Sequence, residues 1–145
     1  MFSFVHDADA NILRINVEGL YEMENVPALA AALVSAAHRA GAASDDFDVL
    51  VESLDFPLQH EDVNEKFVEI MRAGMAQTKG YAAIVVGTPE NFEQASRTLL
   101  HPNLRVFMSM MEAEEWLARM AAVKLADADG RQAGKIEALR KLAGI

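Results

Sequence analysis

Few side chains in this 145-residue sequence could carry chemistry, and the densest group is His60, Glu61 and Asp62, preceded by Asp55. An imidazole beside carboxylates can shuttle protons or hold a divalent cation, so a small enzyme or metal-assisted hydrolase using His60, Glu61 and Asp55, with His101 as a distant further ligand, is one reading. The spacing opposes it. Three consecutive residues point in different directions, and the i, i+4 interval that places two ligands on one helix face is missing. Glu61 and Asp62 are explained more simply as acids at a helix start, where they complement the positive end of the dipole.

Thr88-Pro89-Glu90 follows an apolar run. It offers an N-cap, a proline at the first helical position and a first-turn acid. Free N–H groups there attract anions, but the stretch has neither the lysine nor the glycines of a phosphate loop, and Glu90 opposes an anionic ligand. Capping accounts for Thr88. His38, alone in the last turn of a helix, reads as solvated. The stretch 127–130, DADG, resembles a calcium loop only until Gly130 is set at the sixth position, which puts Leu125 first and Ile136 twelfth. Met71, Met75, Met108, Met110, Met111 and Met120 suit either a core or an adaptable apolar pocket. Without cysteine there is no disulfide, thiol nucleophile or thiolate metal site. No motif implies a cofactor, a catalytic residue or a bound metal.

These residues must be positioned by regular elements. Alternation in 2–6 and 12–18 with turn residues between predicts a β-hairpin. Asn25 and Pro27 open a helix whose inward stripe is Val26, Leu29, Ala30, Leu33, Val34 and Ala37, with Gly41 as its stop. Residues 47–54 form a third strand, and from Glu61 or Asp62 a second helix turns Val63, Phe67, Ile70, Met71, Gly74 and Met75 inward. Residues 81–87, YAAIVVG, are apolar on both faces, as in an interior parallel strand. A helix from Thr88 buries Phe92, Ala95, Leu99 and Leu100; residues 104–108 form a fifth strand. Ser109 and Glu112 fit a capping box before a helix that buries Ala113, Trp116, Leu117 and Met120. A joint at 127–130 precedes a tail helix with Ala133, Ile136, Leu139 and Leu142 on one side. The order implies an α/β domain at 1–124 and a joint with an amphipathic helix at 125–145.

Composition narrows the function classes. With 52% apolar and 24% charged residues the chain is globular. The net charge is −9, but Arg131, Lys135, Arg140 and Lys141 against Glu137 give the tail +3, which leaves −12 on residues 1–129. An acidic body disfavours nucleic acid and anionic lipid surfaces. The basic tail is expected to dock on that body or on a second subunit, and a homodimer is the predicted assembly. The longest mostly apolar run, 26–37, is short of the roughly 20 residues of a membrane span. With no signal-peptide pattern at the start, a cytoplasmic protein is expected.

A hairpin ending in VEG, a helix after a short acidic turn, a strand ending in LDF and the closing segment HPNLRVFMSMMEAEEWL together resemble the SpoIIAA-like STAS domains, over about residues 2–122. The resemblance implies a five-stranded, mostly parallel sheet with an N-terminal hairpin, about four helices and the tail helix. It implies a non-enzymatic regulatory or ligand-responsive module. In anti-sigma-factor antagonists of that family a serine or threonine after the third strand is phosphorylated; here the matching turn is Pro57, Leu58, Gln59, His60, Glu61 and Asp62, without a hydroxyl. Branches related to CRAL-TRIO modules imply a small apolar, lipid-like ligand. Binding of a protein partner or such a ligand is therefore expected at Asp55, Pro57, Leu58, Gln59, His60, Glu61, Asp62 and Thr88, on the sheet edge that parallel strands share.

Overall fold

The computed structural model describes residues 1–144, except the side chains at 129, 131–133 and 135–136. Strands β1 (Phe2–Asp7) and β2 (Ile12–Val17) form the expected antiparallel hairpin, with Phe2 opposite Val17. Asn11 takes the left-handed conformation in the turn, and Asp7 Oδ1 accepts from Ala10 N at 3.1 Å. Strands β3 (Asp48–Ser53), β4 (Ala82–Val86) and β5 (Leu104–Phe107) then add in parallel, giving the order β1-β2-β3-β4-β5.

That order decides where the helices go. Each new parallel strand lies on the same side of the last, so right-handed crossovers send every connecting helix to one face. Helices α1 (Val26–Ala43), α2 (Glu61–Met75) and α3 (Pro89–Thr98) accordingly share a core with Leu13, Ile15, Val17, Val49, Val51, Ile84 and Val86. The opposite face, with Leu50, Ala83, Val85 and Phe107, is covered by Ala113, Trp116 and Leu117 of α4 (Met110–Ala143). Because the strand order never reverses, the helices between the parallel strands do not diverge to opposite faces and the sheet has no topological switch point.

Several packing expectations are corrected. Val34 is 69% exposed, because the buried arc of α1 is set by Val26, Leu29, Leu33, Ala36, Ala37 and Ala40. Gly41 does not end α1, which continues to Ala43. Asn25 stands at the N-cap of α1 as expected but makes no side-chain cap there; its Oδ1 accepts from Glu22 N at 3.1 Å in the capping box of the 3₁₀ turn Met23–Asn25. The segment Met23–Ala43 is long and apolar enough to cross a membrane by length and composition, yet its inner stripe packs on the sheet. In α3 the buried positions are Asn91 and Ala95, so Phe92, about 100° further round, faces outward, and Leu100 lies beyond the helix end.

The tail differs most. The backbone is helical through 127–130, so the tail is the continuation of α4, in all 34 residues or about 50 Å. A glycine inside a helix costs only about 1 kcal/mol relative to alanine, and this helix carries two, Gly130 and Gly134. Ser109 Oγ caps it by accepting from Glu112 N at 3.3 Å. Lys124 then reaches the sheet: its Nζ lies 2.8 Å from Asp48 Oδ1 and 2.9 Å from Asp46 O. Leu125, Leu139 and Leu142 are exposed, so these residues of the helix do not dock on their own body. Ala133 and Ile136, the rest of the expected stripe, lie outside the described side chains.

Around that anchor the Ser44 hydroxyl, then the Asn11 amide and the Lys124 charge, hold the Asp46 carboxyl below its ordinary value against the opposing effect of burial. A depressed folded-state value means the stabilisation is present above the unfolded carboxylate range and lost as pH falls through the folded value. Asp46→Asn is therefore expected to flatten the acid limb of the stability–pH curve, measured by urea unfolding between pH 3 and 7.

Candidate functional site

The loop between β3 and α2 leaves the sheet at Leu54, where Gly87 of the neighbouring strand end sits against the Leu54 carbonyl so closely that any Cβ would overlap it. Strand ends and loops are thereby drawn together. Gly19 N donates to Asp55 O at 3.0 Å, Phe56 N to Ser53 O at 3.3 Å, and Asn91 Nδ2 to Phe56 O at 2.9 Å. Gln59 completes the fastening. Its Oε1 accepts from Tyr21 N at 2.8 Å, and its Nε2 donates to Gly19 O at 3.1 Å and Pro57 O at 2.8 Å.

Gln59 is consequently 8% exposed and positions the loop, where the sequence had placed it on the contact surface. Asp55, Pro57, Leu58, His60, Glu61, Asp62 and Thr88 are all exposed. Asp62 Oδ1 accepts from Val63 N at 2.9 Å, and His60 O accepts from Asn64 N at 2.8 Å at the start of α2. Thr88 Oγ1 accepts from Asn91 N at 3.2 Å, the capping role expected of it. Asn91 therefore ties the cap of α3 to the loop. Loop and Thr88 do share one edge of the sheet. Among the described residues no three His, Asp or Glu side chains come together in a group that could hold a metal ion.

Behind the loop, Tyr21, Phe56 and Phe67 form an aromatic cluster, with centroids 5.3 Å apart for the two edge-on pairs at Phe67. Burial, then the nearby Glu18 carboxylate, pushes the Tyr21 phenol above its ordinary value, and its hydroxyl has no hydrogen-bond partner among the described residues. Alkaline titration followed by tyrosinate absorbance should show one of the two tyrosines ionising late, and Tyr21→Phe should remove that late phase.

Phe56 and Phe67 also line a cavity of about 110 Å³ between the sheet and helices α1, α2 and α3. Its floor is Ile15, Val17, Val51, Ile84 and Val86; its polar lining is Ser53, Asn64, Asn91, Gln94 and Thr98. Helix α2 buries Val63 and Met75 at its two ends, whereas Phe67, Ile70 and Met71 between them are only half-buried. The helix spans the cavity.

Sequence reasoning missed Gln59 as a fastener, Asn91 as a buried strut and the Asp48–Lys124 pair. Asn91 was detectable, since it stands at i−4 from Ala95 and i−8 from Leu99, on the buried stripe of its own helix. A polar residue on such a stripe needs a partner.

No family model matches the chain, and no curated protein is similar enough to match it. Among solved structures, the crystal structure of an anti-sigma factor antagonist from Mycobacterium paratuberculosis is similar at 11% identity and a TM-score of 0.55, covering 81% of this chain and 95% of that one. A likeness at this identity speaks to architecture: the chain has the single-domain, SpoIIAA/STAS-type α/β fold that its element order resembles.

Proposed function

We propose that this is a non-enzymatic regulatory module that recognises a protein partner through the exposed loop residues Asp55, Pro57, Leu58 and His60 and the acids Glu61 and Asp62 that open α2 directly after them, with Thr88 at the border. The observation that carries this reading is the fastening of that loop: Gln59 and Asn91 fix its backbone, so its charged side chains are presented from a preorganised platform. Preorganisation reduces the ordering cost of association. The fold shared with an anti-sigma factor antagonist supports a regulatory role. The loop carries no hydroxyl; Ser53, in the strand before it, is buried and donates to Val85 O at 2.6 Å, and the Thr88 hydroxyl at its border caps α3.

Reversing the charges with Glu61→Lys and Asp62→Lys tests the reading, because both side chains are exposed and the change leaves the fastening untouched. A partner recovered from cell extract by the wild type is expected to be captured at least tenfold less by the double variant, whose stability falls only by the roughly 1–2 kcal/mol that reversing two first-turn charges of α2 costs. Equal capture by both proteins would reject the loop as the contact.

A second reading, a ligand-responsive module for a small apolar molecule, is favoured by the cavity beneath α2. For assembly, we propose a homodimer in the cytoplasm. The exposed leucines of the α4 tail and the groove of about 430 Å³ between α1 and α2, lined by Val34, Ala37, Ile70 and Ala73, support the dimer. Light scattering should report a dimer for the full chain and a monomer after removal of residues 130–145; a full-length monomer would contradict it.

A further inference from the structure

We infer that the cavity beneath α2 selects a small uncharged amphiphile, with a body of about six to eight heavy atoms and one hydrogen-bonding head, over an organic anion such as a fatty acid. This rests on the ligand-responsive reading above and sharpens it.

Size comes first. An apolar cavity of about 150 Å³ takes up benzene, so about 110 Å³ suits a single ring or a short branched chain.

The head group follows from the lining. Among the described residues no Lys, Arg, His, Asp or Glu lines the cavity. An ion entering it would lose its hydration without a counter-charge, whereas a hydroxyl or carbonyl needs only a hydrogen-bonding neighbour. Such neighbours are present at one end. Asn91 is nine-tenths buried and uses Nδ2 on Phe56 O, which leaves its Oδ1 without a partner among the described residues. The side-chain amides of Asn64 and Gln94, on the facing helices α2 and α3, likewise make no hydrogen bond among those residues.

Two features that could favour an anion are offset. The N-termini of α2 and α3 lie near Asn64 and Asn91, but Glu61, Asp62 and Glu90 occupy those first turns. Arg72 and His101 line an adjoining notch of about 20 Å³ and not the cavity itself. The acidic body adds a further penalty on anion entry.

Benzyl alcohol, toluene and benzoate share one ring and differ in the head, so they test the inference on the intact chain. Titration followed by amide proton–nitrogen NMR should show saturable shifts at Val51, Ile84 and Ala95 with benzyl alcohol, and at least tenfold weaker binding of benzoate. Asn64→Leu combined with Gln94→Leu should reduce the preference of benzyl alcohol over toluene, leaving only what Asn91 provides, while toluene still binds. Ala95→Met, which fills the cavity, should weaken both neutral probes about tenfold. Benzoate binding equal to or tighter than benzyl alcohol, or benzoate binding that disappears in Arg72→Ala, would overturn the inference. So would the absence of saturable shifts with every probe. The wild-type probe series decides even if a variant fails to fold, and it is independent of the partner-capture result for Glu61 and Asp62.

Discussion

Replacing Asp48 with alanine is expected to lower the unfolding free energy by about 3 kcal/mol, a loss that lowers the melting temperature by roughly 10 °C in a domain of this size. Asp48 is 2% exposed and accepts from both Lys124 Nζ and Tyr81 N. Removing it leaves a half-sheltered ammonium with only the Asp46 carbonyl, and a backbone N–H without an acceptor. Loss of a buried partner costs about 3–5 kcal/mol, and the low end applies because the Lys124 side chain keeps 20% of its exposure. Lys124→Met should cost less, since Asp48 still holds Tyr81 N. The single tryptophan, Trp116, packs edge-on to Tyr81 at 5.8 Å, so its fluorescence in a urea titration reports the change from within the affected face. Full retention of the urea midpoint in Asp48→Ala would contradict the role of this pair as the anchor of α4.

Gln59→Ala is the second large effect, expected to cost about 2 kcal/mol in stability. Three hydrogen bonds disappear together, and Tyr21 N is left without its acceptor in a buried setting; each such orphan costs about 1–3 kcal/mol, part of which water recovers at the loop rim. The functional consequence should exceed the thermodynamic one. Released from Gly19 and Tyr21, the loop would present Glu61 and Asp62 from an ensemble of conformations. Hydrogen exchange should show accelerated amides at Gly19, Tyr21 and Phe56 with little change in β4, and partner capture should fall with the wild-type surface charges intact. Unchanged exchange at Tyr21 would remove Gln59 from the account.

Local patterns made most of the architecture legible. The hairpin followed from alternation in β2, the interior strand from its doubly apolar run, and α3 and α4 from Thr88 and Ser109, whose hydroxyls accept the N–H groups expected. Positions that depend on tertiary rotation were less legible. Val34 and Phe92 satisfy a helical apolar period as well as their neighbours do, and only the placement of the other two helices decides which edge of the stripe is covered. The joint at 127–130 failed for a related reason. Asp and Gly favour turns, but between alanines they do not outweigh helix propagation from a well-capped start.

The site was legible as an edge and not as a mechanism. Chain order alone brought the loop and Thr88 to the same end of parallel strands. Gln59 looked like one more polar loop residue, because its partners at Gly19 and Tyr21 are some 40 residues away in sequence. The cavity was illegible for the same reason: it is bounded by all three connecting helices, and the half-buried middle of α2 has a normal apolar pattern. The methionine-rich composition pointed to either a core or a pocket, and Met71 serves both.

The central claim is that a fastened acidic loop is the recognition surface. Its most direct test is quantitative capture from cell extract with three proteins side by side: wild type, the Glu61→Lys and Asp62→Lys double variant, and Gln59→Ala. The account predicts one partner retained by the wild type and lost by at least tenfold from both variants, with the double variant still folded and less stable only by the roughly 1–2 kcal/mol of its reversed helix-start charges. Recovery of the same partner in equal amount by all three would contradict it.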